Sequence, residues 1–324
     1  MNKNRISRFA LVALAAFLAL VAGAASAQYP VRPIRLLLPN PPGGAIDSLA
    51  RVVGPRLGEA LGQLVVIDNR PGSNGNFATE AAARAAPDGY TLLLCADAQI
   101  VISPHLYKMG VDTRRDLVPI ATLITTHTVL AVHAALPVRN LQEFLDYARR
   151  ANPPLAYASI GNGSQHHLTM EVFKTRAKID LLHVPYKGGG PATIAILGGE
   201  VSVMLGGNSV SPHIRAGRLR ALALLTRQRT PAYPDLPTVA ETYPGLEVTP
   251  WLGLFAPAAL PAPVLARLRA ETGKMLADPE MRERLRNLGG MEAYVTTPQE
   301  FTALIRSEYV RYGELVKAVG VKID

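Results

Sequence analysis

Cysteine is almost missing from this chain: Cys95 is the only one among 324 residues. An internal disulfide is therefore impossible, and the fold must rest on a core large enough to hold without covalent staples. The usual catalytic signatures are missing as well. There is no GxxxxGK followed by Ser or Thr, no GxSxG, no HExxH and no paired CxxC, so the common phosphate-loop, serine-hydrolase, zinc-protease and dithiol sites are excluded. Acids are in deficit, 25 against 34 Lys and Arg, for a formal net charge of +9. The basic residues are scattered and nowhere interleaved with aromatics, so the excess attracts anions without marking a nucleic-acid groove.

Long apolar runs are confined to the start. The first 27 residues carry Lys3, Arg5 and Arg8, then an apolar run from Phe9 to about Val21, and end in Ala25-Ser26-Ala27. That run is shorter than the ~20 residues a bilayer span requires, and small-x-small is the pattern signal peptidase cuts. A secretory signal cleaved after Ala27 is expected, with Gln28 first in the mature chain. No cysteine follows the run and no later stretch is long enough to span, so neither a lipid anchor nor membrane insertion is expected. The leader holds three positives and no acid, which leaves +6 for the exported protein.

Short aliphatic runs alternate with amphipathic stretches through most of what remains. Strands are expected at 34–38, 64–68, 91–95, 128–133, 155–159, 181–186, 201–206 and 219–225. Helical periodicity lies between them, at 45–61, 76–86, 140–151, 164–177 and 190–198. Such alternation with near-continuous apolar strands indicates an α/β protein whose sheets are doubly wound and mostly parallel. The series runs twice, over roughly 34–125 and 128–225, each the size of one lobe. A tail of helices at 262–277, 279–287 and 297–318 follows the segment PAALPAP; with no sheet of its own it needs the first lobe as a partner. The expected organisation is a signal at 1–27, lobe one at 28–127 and 253–324, and lobe two at 128–252.

Ligands of open α/β sheets sit beyond the carboxyl ends of the strands, so the strand-to-helix loops carry the chemistry. In PNPPGGAID, residues 39–47, the prolines can extend neither strand nor helix, while Gly43 and Gly44 leave N–H groups uncovered at a helix start, a favourable place for an anion. Asp47 falls in the first turn and reads either as a dipole-complementing acid or as a ligand or water acceptor. DNRPGSNGN, 68–76, offers Ser73 and Asn74 among turn signals, and CADAQ, 95–99, offers Asp97. SIGNGSQHHL, 159–168, repeats the logic of the first loop, with Ser164 where an N-cap would stand. HVPYKGGGPA and GGNSVS add Tyr186, Lys187, Asn208 and Ser209. His167 and Glu171 are four apart on one helical face, yet no third ligand is spaced to join them with His166, so no metal is expected. The one tryptophan, Trp251, reads as hinge or core.

PNPPGGAID, DNRPGSNGN with APDGYTLLL, ASIGNGSQHHLTMEVFK, HVPYKGGGPA and PHIRAGRLRALAL occur in this order behind a signal peptide. Together they resemble the Bug family of extracytoplasmic solute receptors, related to the binding component of tripartite tricarboxylate transporters. The resemblance covers essentially the whole mature chain. It implies a two-lobed periplasmic binding protein, not an enzyme, that closes on a mono-, di- or tricarboxylate and delivers it to a membrane permease. It implies ligand contacts from Gly43, Gly44, Ala45 and Asp47 in lobe one and from Ser159, Gly161, Gly163, Ser164 and His166 in lobe two, with Ser73, Asp97 and Asn208 contributing. Many members carry an acid after the strand that here ends in Gly206-Gly207; its absence favours simple carboxylic acids over amino acids. No cofactor is implied and a monomer is expected. A receptor feeding a sensor, and a secreted α/β enzyme, are the alternatives.

Overall fold

The computed structural model describes residues 29–207, 209–230, 233–288 and 291–321. The expected leader and Asn208 lie outside the described residues.

The chain opens with β1 (Ile34–Leu38), α1 (Ala45–Leu61), β2 (Val65–Asn69), α2 (Asn76–Ala83) and β3 (Thr91–Ala96). A π-helical turn, Ala98–Ile102, runs into the short α3 (Ser103–Leu106), and β4 (Leu117–Thr125) follows. Lobe two contains β5 (Val129–His133), α4 (Leu141–Arg150), β6 (Leu155–Ser159), α5 (Gln165–Ala177), β7 (Leu181–Pro185), α6 (Gly189–Leu197), β8 (Val203–Gly206), α7 (Ser211–Arg215) and β9 (Leu219–Leu224). The return brings β10 (Trp251–Pro257), α8 (Ala262–Ala277), α9 (Pro279–Asn287), β11 (Glu292–Ala293) and α10 (Pro298–Val319).

Each element follows from its apolar spacing. β1 has neighbours on both edges and both faces covered, so four of its five residues are buried and only Arg35 reaches solvent. In α1, Ile46, Leu49, Val53, Leu57 and Leu61 recur at three- or four-residue steps and form the buried face; Gly62 stops the helix in the left-handed region at φ +76°.

The sheets are mixed, which corrects the expectation of mostly parallel ones. The six-stranded sheet has the order β11-β4-β10-β3-β1-β2 and the five-stranded sheet β7-β6-β8-β5-β9. β1 is parallel to β2 and β3, and β6 to β7 and β8. The remaining pairs are antiparallel. Parallel pairing survives only where a helix returns the chain to the same edge. β5 enters lobe two from lobe one and β10 re-enters lobe one from lobe two, and each runs against the neighbours on both of its edges. The two crossings lie side by side, Thr126 N–H and Thr125 Oγ1 both donating to Pro250 O at 3.3 and 3.0 Å.

The C-terminal helices return to lobe one as expected and cover both faces of its sheet. Leu268, Leu276, Met281 and Leu285 join the core of Leu36, Leu49 and Leu57, while Phe301, Ile305 and Tyr312 join Leu37, Leu93 and Cys95 on the opposite face. Trp251 is buried in β10, its ring edge-on to Phe301 at 5.2 Å. Among the described residues no helix is long and apolar enough to cross a membrane.

Candidate functional site

The loop from β1 to α1 carries Gly43 at φ +88°, with open space where a Cβ would stand. Asp47, 3% exposed, turns back under the loop: its carboxylate accepts from Gly43 N–H at 3.0 Å, from Arg51 Nε at 2.8 Å and from Asn69 Nδ2 at 3.2 Å. Burial alone would raise the Asp47 carboxyl; the bonds from Arg51, Gly43 and Asn69 outweigh it and hold the group below its ordinary range. The open question about Asp47 resolves toward a structural anchor, and the Gly43 N–H expected to be bare is spent on it. Ser48 N–H makes the first helical bond, to Gly44 O at 2.9 Å, so the N–H groups of Ala45, Ile46 and Asp47 lie ahead of the ladder.

The second loop locks onto the first. Gly75, at φ +88°, lies so close to Pro39 that a Cβ would sit 2.5 Å from the proline ring. Ser73 and Asn74 before it are both left-handed, at φ +48° and +52°, a strain that flanking structure must hold. Gln99 supplies part of it, donating to Asn74 O at 2.8 Å. Ser73 is exposed.

In lobe two the loop from β6 to α5 is tied internally. Ser159 Oγ, fully buried, meets His183 Nε2 at 2.7 Å and accepts from Gly161 N–H at 3.2 Å. Gly161 and Gly163 are left-handed at φ +134° and +70°. Ser164 caps α5, its Oγ accepting from His167 N–H at 3.3 Å, which leaves the N–H groups of Gln165 and His166 at the helix start ahead of the ladder. Burial holds the His166 imidazole down to about 4, so it is neutral at pH 7. The expected Asp97 is 2% exposed and points not to the loop mouth but to Gln165, whose Nε2 lies 2.5 Å from Asp97 Oδ2.

The two halves meet across the cleft. Tyr107 Oη donates to Asn162 O at 2.9 Å, and Asn74 Oδ1 lies 3.7 Å from where a Gly161 Cβ would be. Around this seam Asn40 Oδ1, Asn74 Nδ2, both side-chain polar atoms of Asn76 and His166 Nδ1 are buried with no hydrogen-bond partner among the described residues. Buried orphans are rare in native folds; these lie in or beside the loops of both lobes, and others are at Ser103, Thr169, Thr230, Arg269 and Thr272. Sequence reasoning named Asn74 and His166 but missed Asn40, Asn76 and Gln165. The repetition of Asn beside Pro and Gly in two loops was the available signal.

Glu171 is committed elsewhere, accepting from Tyr157 Oη at 2.6 Å and Lys174 Nζ at 3.0 Å. Among the described residues no group of three or more His, Cys, Asp or Glu is placed to hold a metal ion. Beside Glu171, a cavity of about 540 Å³ opens toward Val319–Val321 on the side of α5 that carries His167 and Lys174. At Gly206 a Cβ would come within 2.6 Å of Val210 Cγ1, so glycine lets the chain pack closely at this strand end.

A family model described as the tripartite tricarboxylate transporter family receptor matches residues 49–321. Among solved structures, the periplasmic binding protein BugD is 32% identical with a TM-score of 0.84, over 91% of this chain and 99% of that one. Rpa4515 of R. palustris, solved with adipate, is 32% identical with a TM-score of 0.86, over 91% and 99%. MatC of Rhodopseudomonas palustris, solved with bound malate, is 31% identical with a TM-score of 0.81, over 89% and 100%.

Proposed function

The chain belongs to the tripartite tricarboxylate transporter receptor family, a family of solute receptors and not of enzymes, and from that premise we propose that it captures a small carboxylate in the periplasm and hands it to a membrane permease. One observation carries the reading. Two helix N-termini, at Ala45 and at Gln165, are linked through a third loop, since Asn74 reaches Gly161 ahead of α5 while Gly75 packs on Pro39 ahead of α1, and the acid nearest the first is neutralised by Arg51 within lobe one. An anion spanning the seam gains unpaired N–H groups from both lobes, together with the asparagine amides, in the closed form alone. Contacts present in only one of two states are what shift an open–closed equilibrium. Gly44, Ala45, Ser164 and His166 are the expected contacts from the loop mouths, with Asn74 and Asn76 beside them; Gly43, Asp47, Ser159 and Gly163 shape the backbone. Asn208 remains a proposed contributor from the β8 side.

Rpa4515 takes adipate and MatC takes malate; the same class, an acid with two carboxyl groups, suits a site with one helix start at each end. The test is mass spectrometry of ligand released from the purified exported protein, followed by thermal shift on a carboxylate panel that includes adipate and malate. Stabilisation by at least one acid is expected. A panel of mono-, di- and tricarboxylates that leaves the melting temperature unmoved would overturn the proposal.

A further inference from the structure

A second polar cluster lies between the lobes, buried, and the carboxylate site makes no use of it. Gln165, the first residue of α5, is 4% exposed, and its Nε2 lies 2.9 Å from Tyr312 Oη as well as 2.5 Å from Asp97 Oδ2. Asp97 Oδ1 accepts the N–H of Ala98 at 2.7 Å. One turn before Tyr312 on α10, Glu308 accepts the indole N–H of Trp251 at 2.6 Å. Asp97 and Glu308 are therefore two acids in one dry region, and among the described residues neither is ion-paired. Arg311 contributes its field, but its guanidinium donates to Glu247 O at 2.6 Å.

Two carboxylates withdrawn from water resist carrying two charges. Burial first, and the charge of Glu308 second, push Asp97 well above the ordinary carboxylate range. Burial likewise raises Glu308, against the pull of the Trp251 indole and Arg311. Asp97 is 2% exposed against 8% for Glu308 and is pushed up the further, so the proton is assigned to Asp97. The contact length is compatible: amide nitrogen and oxygen are interchangeable assignments, and 2.5 Å lies below the N–H···O range but at the short end of the O–H···O range for an acid donating to the Gln165 amide oxygen.

We propose that Asp97 is a positioning residue of the closed receptor: as a neutral acid it holds Gln165, and through it the ligand-binding start of α5, against lobe one, so that closure on ligand takes up a proton. The claim rests on the receptor reading above. The groups that face Asp97 are Cys95 from β3, Glu308, Arg311 and Tyr312 from α10, and Gln165 from α5, with Trp251 of β10 acting through Glu308. Opening returns Asp97 to water and to its ordinary range. Affinity is then highest below that range and falls as pH rises toward the closed-state value, by up to about tenfold per pH unit.

The test is calorimetry with adipate, and with malate in parallel, from pH 5 to 8 in two buffers of different ionisation enthalpy. Net proton uptake on binding and weakening affinity with rising pH are expected; Asp97→Asn should flatten the profile and abolish the uptake. Gln165→Ala leaves both acids in place, and weaker binding with less uptake is expected there even if the Asp97 variant folds poorly. Trp251 is the only tryptophan, so its emission against pH follows the acid pair in the closed protein saturated with adipate or malate. Its midpoint should lie above the usual carboxylate range and drop in Asp97→Asn. Binding without proton uptake, or a Trp251 titration indifferent to Asp97→Asn, overturns the proposal; failure of every carboxylate to bind strikes the receptor reading instead.

Discussion

The imidazole rings of His167 and His183 lie stacked, 3.9 Å between centroids and 9° from parallel. His167 Nδ1 accepts Gly163 N–H at 3.1 Å, and His183 Nε2 meets Ser159 Oγ at 2.7 Å. One stacked pair thus holds both ends of the β6–α5 loop, at Ser159 and at Gly163. Two imidazolium ions cannot share that spacing. Burial first, and the His167 ring second, hold His183 down to about 4, and burial holds His167 below its usual value.

Both rings are therefore neutral in the fold, while in the unfolded chain they protonate near the ordinary histidine value of about 6.5. The unfolded state binds protons first on acidification. Stability is complete above about pH 6.5 and declines as pH falls from there toward 4. His183→Asn, neutral throughout, should show a shallower fall in melting temperature over that window. Calorimetric melts at half-unit steps check it; parallel slopes for the two proteins would discount the pair as a source of acid sensitivity.

Local signals explain what was legible in the sequence. α1, α8 and α9 have the bounds their periodicity indicates, because an amphipathic helix over a sheet is set by its own three- and four-residue steps. β4 and β10 were missed. β10 pairs with β4 across two register shifts, follows Pro250 and ends in Pro257, so proline hid a strand whose buried face is supplied by distant helices. At the site, Ser164 was readable as a cap because capping is local. The partners of Asp47 and Asp97 were not readable. Asn69 and Gln165 reach them across 22 and 68 residues, and only the folded chain determines such contacts.

Asp47 is the strongest test of whether the lobe-one loop is built or merely permitted. If it stood at the ligand, Asp47→Asn would remove a repulsive charge and tighten carboxylate binding. The structure gives the opposite expectation. The substitution replaces an acceptor oxygen by a donor against Arg51 or Gly43, and hydrogen bonds to a buried carboxylate contribute about 1.5–3 kcal/mol each. Arg51 is largely exposed, so the ion pair itself contributes less than its geometry suggests. Chemical denaturation should show a loss of about 1.5–3 kcal/mol, with weaker binding in calorimetry. Tighter binding at unchanged stability would place the carboxylate at the ligand after all.

Ser164 allows stability and recognition to be separated at one position. Its side chain is 1% exposed and its Oγ accepts from His167 N–H at 3.3 Å; loss of such a cap costs about 1 kcal/mol. Ser164→Ala should lower stability by that amount and weaken carboxylate binding, because the hydroxyl that orders the helix start also faces the proposed anion. Ser164→Asp distinguishes the two roles. Aspartate is as good a cap as serine and complements the helix dipole, so stability should be retained. Its charge, however, occupies the place the ligand carboxylate needs, so affinity should fall at least tenfold, and raising the salt concentration should restore part of it. Denaturation and calorimetry on the same preparations measure both quantities. Retained affinity in Ser164→Asp would mean that the ligand does not approach this helix start, and the lobe-two half of the site would have to be sought elsewhere.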